Sequence, residues 1–277
     1  MKIFTTLLFL MGFLTTMGQE LIEVKTEERP SSLGVQTAFE VVVPQATPGD
    51  AIDLWKKTIL PRGLFKKSPK MEKVKDEWIV RDLLISDITT LPLNVITQIS
   101  SFPGHIYVRI FLQTEGGFLG SSGASPQTTD AALKYIRNYG VDLYRLAVGK
   151  ELKEEEHQLQ ALENDLNKLL RKNKSYDSKI ADAKKDKIDL AGEANYQKQL
   201  LDGNTGNPLG VIGETPREDV EEELKATEKE LKKAAKTESR FEKKTRKNEK
   251  EQQDKAYEIE KQKIKVQEVK IKLDNIR

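Results

Sequence analysis

The chain contains no cysteine. That absence excludes a disulfide framework and a thiolate metal site, and it leaves no thiol to carry a lipid. Histidine is nearly as scarce: His105 and His157 are the only two in 277 residues. Neither has a second histidine nearby, and His157 stands beside Glu154, Glu155 and Glu156 on a charged stretch, so neither a metal nor any other cofactor is expected. An excess of one charge is also lacking. The 46 Lys and Arg are nearly matched by 44 Asp and Glu, which removes the uniformly basic surface that would hold nucleic acid by counterion release. Beyond Met17 no apolar run is long enough to span a bilayer.

The one apolar run opens the chain. Lys2, the stretch from Ile3 to Met17 and then Gly18-Gln19-Glu20 have the charged start, hydrophobic middle and small-residue exit of a secretory signal. Residues 1–18 are therefore expected to be removed and the rest exported, to a periplasm or outside the cell.

Residues 19–127 hold most of the prolines and both tryptophans, the texture of a globular domain. Phe39-Glu40-Val41-Val42-Val43 predicts a strand ending at Pro44, and Thr47-Pro48-Gly49-Asp50 predicts a capped helix start carrying Ile52, Leu54, Trp55 and Ile59. Met71 to Arg81, Asn94 to Ser101 and His105 to Thr114 predict further strands, with Phe102-Pro103-Gly104 as the turn between the last two. The expected domain is a small antiparallel sheet covered by helices. The glycines of Gly116-Gly117-Phe118-Leu119-Gly120-Ser121-Ser122-Gly123 lack the lysine of a P-loop and the frame of a dinucleotide fingerprint, leaving a structural loop or a ligand loop of another kind.

From about Thr128 the texture changes to charged heptads. Leu152, Leu159, Leu166, Asn173, Ile180, Lys187, Ala194 and Leu201 recur by sevens, with Leu162, Leu169, Tyr176, Ala183 and Leu190 at the second seam position. A second series runs from Val220 through Leu231, Phe241, Asn248 and Ile259 to Val266, Leu273 and Ile276. Residues 128–201 thus predict one long helix, coiled coil from about 150 and interrupted early by Gly140 and Gly149. Residues 202–215 predict a glycine-rich turn and 216–277 a second long helix. The expected fold is this α+β domain followed by a long antiparallel coiled-coil helical hairpin. Setting Leu201 against Val220 also sets Asn173 against Asn248, a pairing that would fix the register, because a buried amide facing an apolar residue loses its hydrogen bonds.

Catalytic chemistry has little to draw on. Asp76, Glu77, Asp82 and Asp87 could serve a hydrolase, but carboxylates are common on any surface, and the serines of Ser121-Ser122 lack a nucleophile elbow. No catalytic residue is assigned. Two surfaces stand out instead. Lys56, Lys57, Arg62, Lys66, Lys67 and Lys70 form a basic run that continues to Lys75 against Glu72 alone. It is a solvated strand edge or a site for an anionic partner such as lipid headgroups or acidic polymer. Leu209, Val211 and Ile212 are apolar residues at the hairpin turn, either a partner contact or a plug over the last heptads.

The Gly18-Gln19 exit, Trp55 before the basic run, Trp78, the Gly116-Gly117-Phe118-Leu119 turn and Lys150-Glu151-Leu152 leading into heptads together resemble uncharacterised exported proteins of Bacteroidota-type bacteria. The resemblance implies an envelope location and no known reaction. The expectation is a non-enzymatic structural or protein-interaction component of the bacterial envelope, a spacer or docking arm. Its partner would be a protein at the coiled coil or its tip, or a second copy. The alternative is a ligand-binding module whose globular domain takes an anionic partner through the lysines, with membrane-surface contact open.

Overall fold

The computed structural model describes residues 21–60, 69–203, 211–212 and 215–277. The signal-like segment of residues 1–18 lies outside the described residues. By contacts the chain divides into two compact units. The first takes the described residues up to Glu156 together with Lys265–Arg277, and the second is His157–Ile264.

The sheet of the first unit is antiparallel throughout. Its strands are β1 (Val24–Ser31), β2 (Gly34–Pro44), β3 (Glu72–Val74), β4 (Glu77–Leu83), β5 (Leu93–Phe102), β6 (His105–Thr114) and the short β7 (Gly117–Phe118). They are ordered β1-β2-β6-β5-β4-β3, with β7 on β6. Three differences from the sequence reading have physical causes. The strand expected over Met71 to Arg81 is a hairpin, β3 and β4, which turns at Lys75 with φ of 54°. β1 pairs with β2 from Val24↔Val41 to Ser31↔Gly34 although it offers almost no apolar alternation. The third concerns the first long helix.

Alternation along the strands gives the sheet two unlike faces. Phe39, Val41 and Val43 of β2 join Val108, Ile110 and Leu112 of β6 on one face, where the main core forms. α1 (Pro48–Ile59) covers it, starting where Thr47 accepts a hydrogen bond from the Asp50 amide and ending at a cap on Leu60, just before Pro61. Trp55 is fully buried there, donates from Nε1 to Thr97 Oγ1 at 2.8 Å, and meets Tyr139 edge-on at 4.7 Å.

Tyr139 belongs to α2 (Pro126–Gly203), one unbroken helix of 78 residues. The expected interruptions at Gly140 and Gly149 do not occur. Gly140 serves approach rather than bending: a Cβ there would lie 2.8 Å from both Ile22 Cγ2 and Val41 Cγ2, so only glycine lets the helix sit this close to β2. Tyr139 Oη donates to the Ala51 carbonyl at 2.8 Å, tying α2 to α1. The end of α3 (Arg217–Asn275) completes this unit. Val269 and the following Ile276 are buried in the main core, and Lys272 reaches Gln45 and Glu151.

The other face of the sheet carries a small cluster of Ala38, Ile96, Phe111 and Phe118 and a polar network. Glu77 Oε1 accepts from the Ser32 amide and from Gln98 Nε2, both at 2.9 Å, while Gln98 also donates to the Pro30 carbonyl. The β1–β2 turn is thereby tied across to β4 and β5.

The second unit is the antiparallel packing of α2 on α3. β8 (Val211–Ile212) and β9 (Thr215–Pro216) form a two-residue ladder between the helices. At about 1.5 Å per residue, the stretch from His157 to Gly203 runs on the order of 70 Å.

Candidate functional site

In the second unit several seam positions are polar, and some of these residues find one another, while Gln197 Oε1, Thr245 Oγ1 and Gln252 Nε2 are buried with no hydrogen-bond partner among the described residues. Asn248 is buried and donates from Nδ2 to Asn173 Oδ1 at 2.9 Å, and also to the Leu169 carbonyl at 2.9 Å. Lys187 and Glu238 stand as faults in their separate heptad series, yet they form an ion pair of 2.6 Å. Tyr176 packs against Phe241 at 5.9 Å, with the Lys179 ammonium 5.0 Å above the Phe241 ring.

The apolar seam residues are less well covered. Leu162, Leu166, Leu169, Leu190, Leu224 and Leu231 are only half-buried, whereas Val220, Ile259 and the small Ala183, Ala194 and Ala234 are enclosed. Two helices surround a seam on one side each and leave two open flanks, which is why isolated hairpins bury their leucines incompletely. Both flanks are grooved. One groove, about 530 Å³, is framed by Ile188, Ala191, Leu231 and Ala235 between Lys187 and Lys232, and Ile188 is 71% exposed in it. The opposite groove, about 600 Å³, has Ala183, Leu190, Ala234 and Phe241 as its floor, with Lys179, Asp182, Asp186 and Asp189 on the α2 wall and Glu230 and Lys233 on the α3 wall.

In the first unit the structure brings together only part of the basic run. Lys56 and Lys57 lie in the last turn of α1 and Lys70 precedes β3, whereas Arg62, Lys66 and Lys67 lie outside the described residues. Lys73, further along the same basic run, joins Lys56 at Trp78, their ammonium groups 5.4 Å and 4.5 Å from its ring. Trp78, Lys73, Asp76, Gly49 and Ser100 border a depression of about 420 Å³. Spacing could not show this meeting, because it depends on β4 bringing Trp78 beneath the end of α1.

Of the tip residues, Leu209 lies outside the described residues, while Val211 and Ile212 form β8, pairing with Pro216 and Thr215. His105 is stacked on Phe102 at 5.8 Å, and His157 is exposed on α2. Among the described residues no group of three or more His, Asp or Glu is placed to hold a metal ion. Glu77 is buried as part of the network on the sheet. Burial works to raise its pKa, but the hydrogen bonds from Ser32 and Gln98 prevail and hold it below the usual glutamate value. The hydrogen bond from Lys150 likewise holds Asp50 low. The glycine-rich segment is packed structure: Leu119 donates its amide to the Leu112 carbonyl, and a Cβ on Gly120, at φ of 85°, would lie 2.9 Å from Thr26 Cγ2.

The chain matches no family model, no curated protein and no solved structure. Its own architecture defines the class: a seven-stranded antiparallel sheet followed by two long helices packed antiparallel. Among the described residues no helix is long and apolar enough to cross a membrane.

Proposed function

We propose that this protein is a non-enzymatic interaction component of a bacterial envelope and that its helical hairpin is the docking element. The observation that carries the reading is the half-buried leucine seam with an exposed isoleucine, Ile188, in an apolar groove. Such a surface gains stability when another protein covers it, because apolar area then leaves water. The signal-like sequence of residues 1–18 supports export. The seam's polar pairs set the helices in one alignment, so the grooves hold a fixed shape for a partner.

A photo-crosslinking amino acid placed at Ile188 tests this in cells. A discrete protein adduct from that position, with none from the exposed Leu84 of the first unit, is the expected result. Equal or no labelling from both positions would overturn the docking role.

A second reading rests on Lys56 and Lys73 at Trp78. Two cations beside one indole suit a small anion or an acidic polymer, although Asp76 on the same rim opposes it. Pyrophosphate should then quench Trp78 fluorescence, and Lys56→Gln with Lys73→Gln should abolish the quenching. An unchanged response in the variant would remove this reading.

A further inference from the structure

The groove floored by Ala183, Leu190, Ala234 and Phe241 differs from its counterpart in having a mainly acidic α2 wall, where Asp182, Asp186 and Asp189 outnumber Lys179, facing an α3 wall of Lys233 beside Glu230. On α2, Asp182, Asp186, Asp189 and Glu193 recur at steps of four, three and four, the spacing that aligns side chains along one flank of a helix. All four are exposed, and among the described residues none is in an ion pair. On the same flank α3 presents Lys233 and Arg240. Among the described residues Lys233 pairs with Glu230 on its own helix alone, and Arg240 is exposed and in no ion pair. The contact of Asn173 with Asn248 fixes the levels of the two walls. Counting along both helices from that pair, Lys233 stands at the height of Asp186 and Asp189, and Arg240 at the height of Asp182.

We infer that this groove is the face on which a second copy of the chain docks, through a twofold axis parallel to the hairpin. The inference rests on the docking role proposed for the hairpin and names the occupant of one of its two grooves. A twofold interface uses the same patch on both partners. With its axis parallel to the helices, it lays α2 of each copy over α3 of the other and keeps every residue at its own height. The aspartates of the α2 wall then meet Lys233 and Arg240 twice. An axis perpendicular to the helices would instead lay α2 on α2 and set acid against acid, so the charge pattern selects the first arrangement and opposes the second. The product is a four-helix bundle in which Ala183, Leu190, Ala234 and Phe241 become interior. The Ile188 groove stays on the outside, open to a different protein.

Charge exchange in the full chain tests this. One variant carries Asp182→Lys, Asp186→Lys and Asp189→Lys; the other carries Lys233→Glu and Arg240→Glu. Light scattering should give a dimer for the native chain and a monomer for each variant alone. Mixing the two variants should restore the dimer, since each then meets the wall it complements. Circular dichroism on each variant checks that the helices remain. If the exchanged chains lose helix, the neutral set Asp182→Asn, Asp186→Asn and Asp189→Asn replaces them and should weaken the dimer at least tenfold. A native chain that is monomeric at about 100 μM, variants that dimerise alone, a mixture that stays monomeric or a neutral set that dimerises as the native chain does would each overturn the proposal. A monomeric chain that still gives a protein adduct from Ile188 would remove the second copy while leaving the docking role in place. Loss of both would remove the two together.

Discussion

At the scale of single residues, two glycines of one helix have opposite meanings. Gly140 is pressed against Ile22 and Val41, with a Cβ position 2.8 Å from each, while nothing lies within 4 Å of a Cβ on Gly149. Gly140→Ala must therefore push α2 off β2 and should lower stability by roughly 1–3 kcal/mol, the usual range for overpacking. Gly149→Ala removes backbone freedom from the unfolded chain without a clash and should raise it by about 0.5–1 kcal/mol. Urea unfolding of the two variants checks the signs, and equal effects would refute the packing account. Glu77 gives a pH dependence. Its folded pKa lies below the ordinary 4.5, so the unfolded state takes up its proton first as pH falls. The stability it adds is present above the ordinary value and is lost as pH drops through the folded one. Asp50, lowered beside Lys150, acts in the same direction. The urea midpoint should decline below about pH 4.5, and Glu77→Gln, which keeps an acceptor for Ser32 and Gln98, should make that decline shallower. An identical slope in the variant would show that Glu77 has no part in it.

At the scale of elements, alignment is the central question. Cysteines replacing Asn173 and Asn248 should form a bridge within one chain under mild oxidation, because the native side chains touch at 2.9 Å and facing seam positions come within disulfide reach. The Asn173→Cys and Lys255→Cys pair, which only a slip of one heptad would bring together, should not. A product of doubled mass from the first pair would contradict the intrachain packing. Much of the hairpin was legible because leucines at heptad spacing record the seam, and Thr47-Pro48 recorded the start of α1. β1 left no such record. Lys25, Glu27 and Arg29 alternate with Thr26, Glu28 and Pro30, and the strand exists through its ladder with β2 and the ties of its turn to Glu77 and Gln98, partners distant in sequence. The charged walls were equally hidden. Asp182 and Lys233 read as ordinary solvated charges until the seam fixes the rotation of both helices and places them on one flank. Lys56 and Lys73 at Trp78 share this character, since a fold and not a spacing unites them.

At the scale of the whole molecule, the two units are held by different means and should open at different free energies. The first has a continuous core in which Trp55, Phe39, Tyr139, Tyr144 and Leu143 are essentially inaccessible to water. The second encloses Val220, Ile259 and a few alanines and otherwise depends on half-buried leucines and a few polar pairs. Because local opening follows buried apolar contact, amide hydrogen exchange should be fastest within His157–Ile264 and slowest in β2, β5, β6 and the part of α2 before Glu156. The end of α3 should side with the slow group, since Val269 and Ile276 lie in the first unit's core. Exchange would then change rate partway along a single helix, with no break in the helix to mark it. If a second copy covers the charged groove, a further signature appears. Raising the protein concentration should slow exchange around Ala183, Leu190, Ala234 and Phe241 while the slow group keeps its rate, because association protects only what it covers or holds closed. Uniform protection along the whole of α2 would refute the division into units of unequal stability. A hairpin whose exchange ignores concentration would speak against the second copy without touching that division.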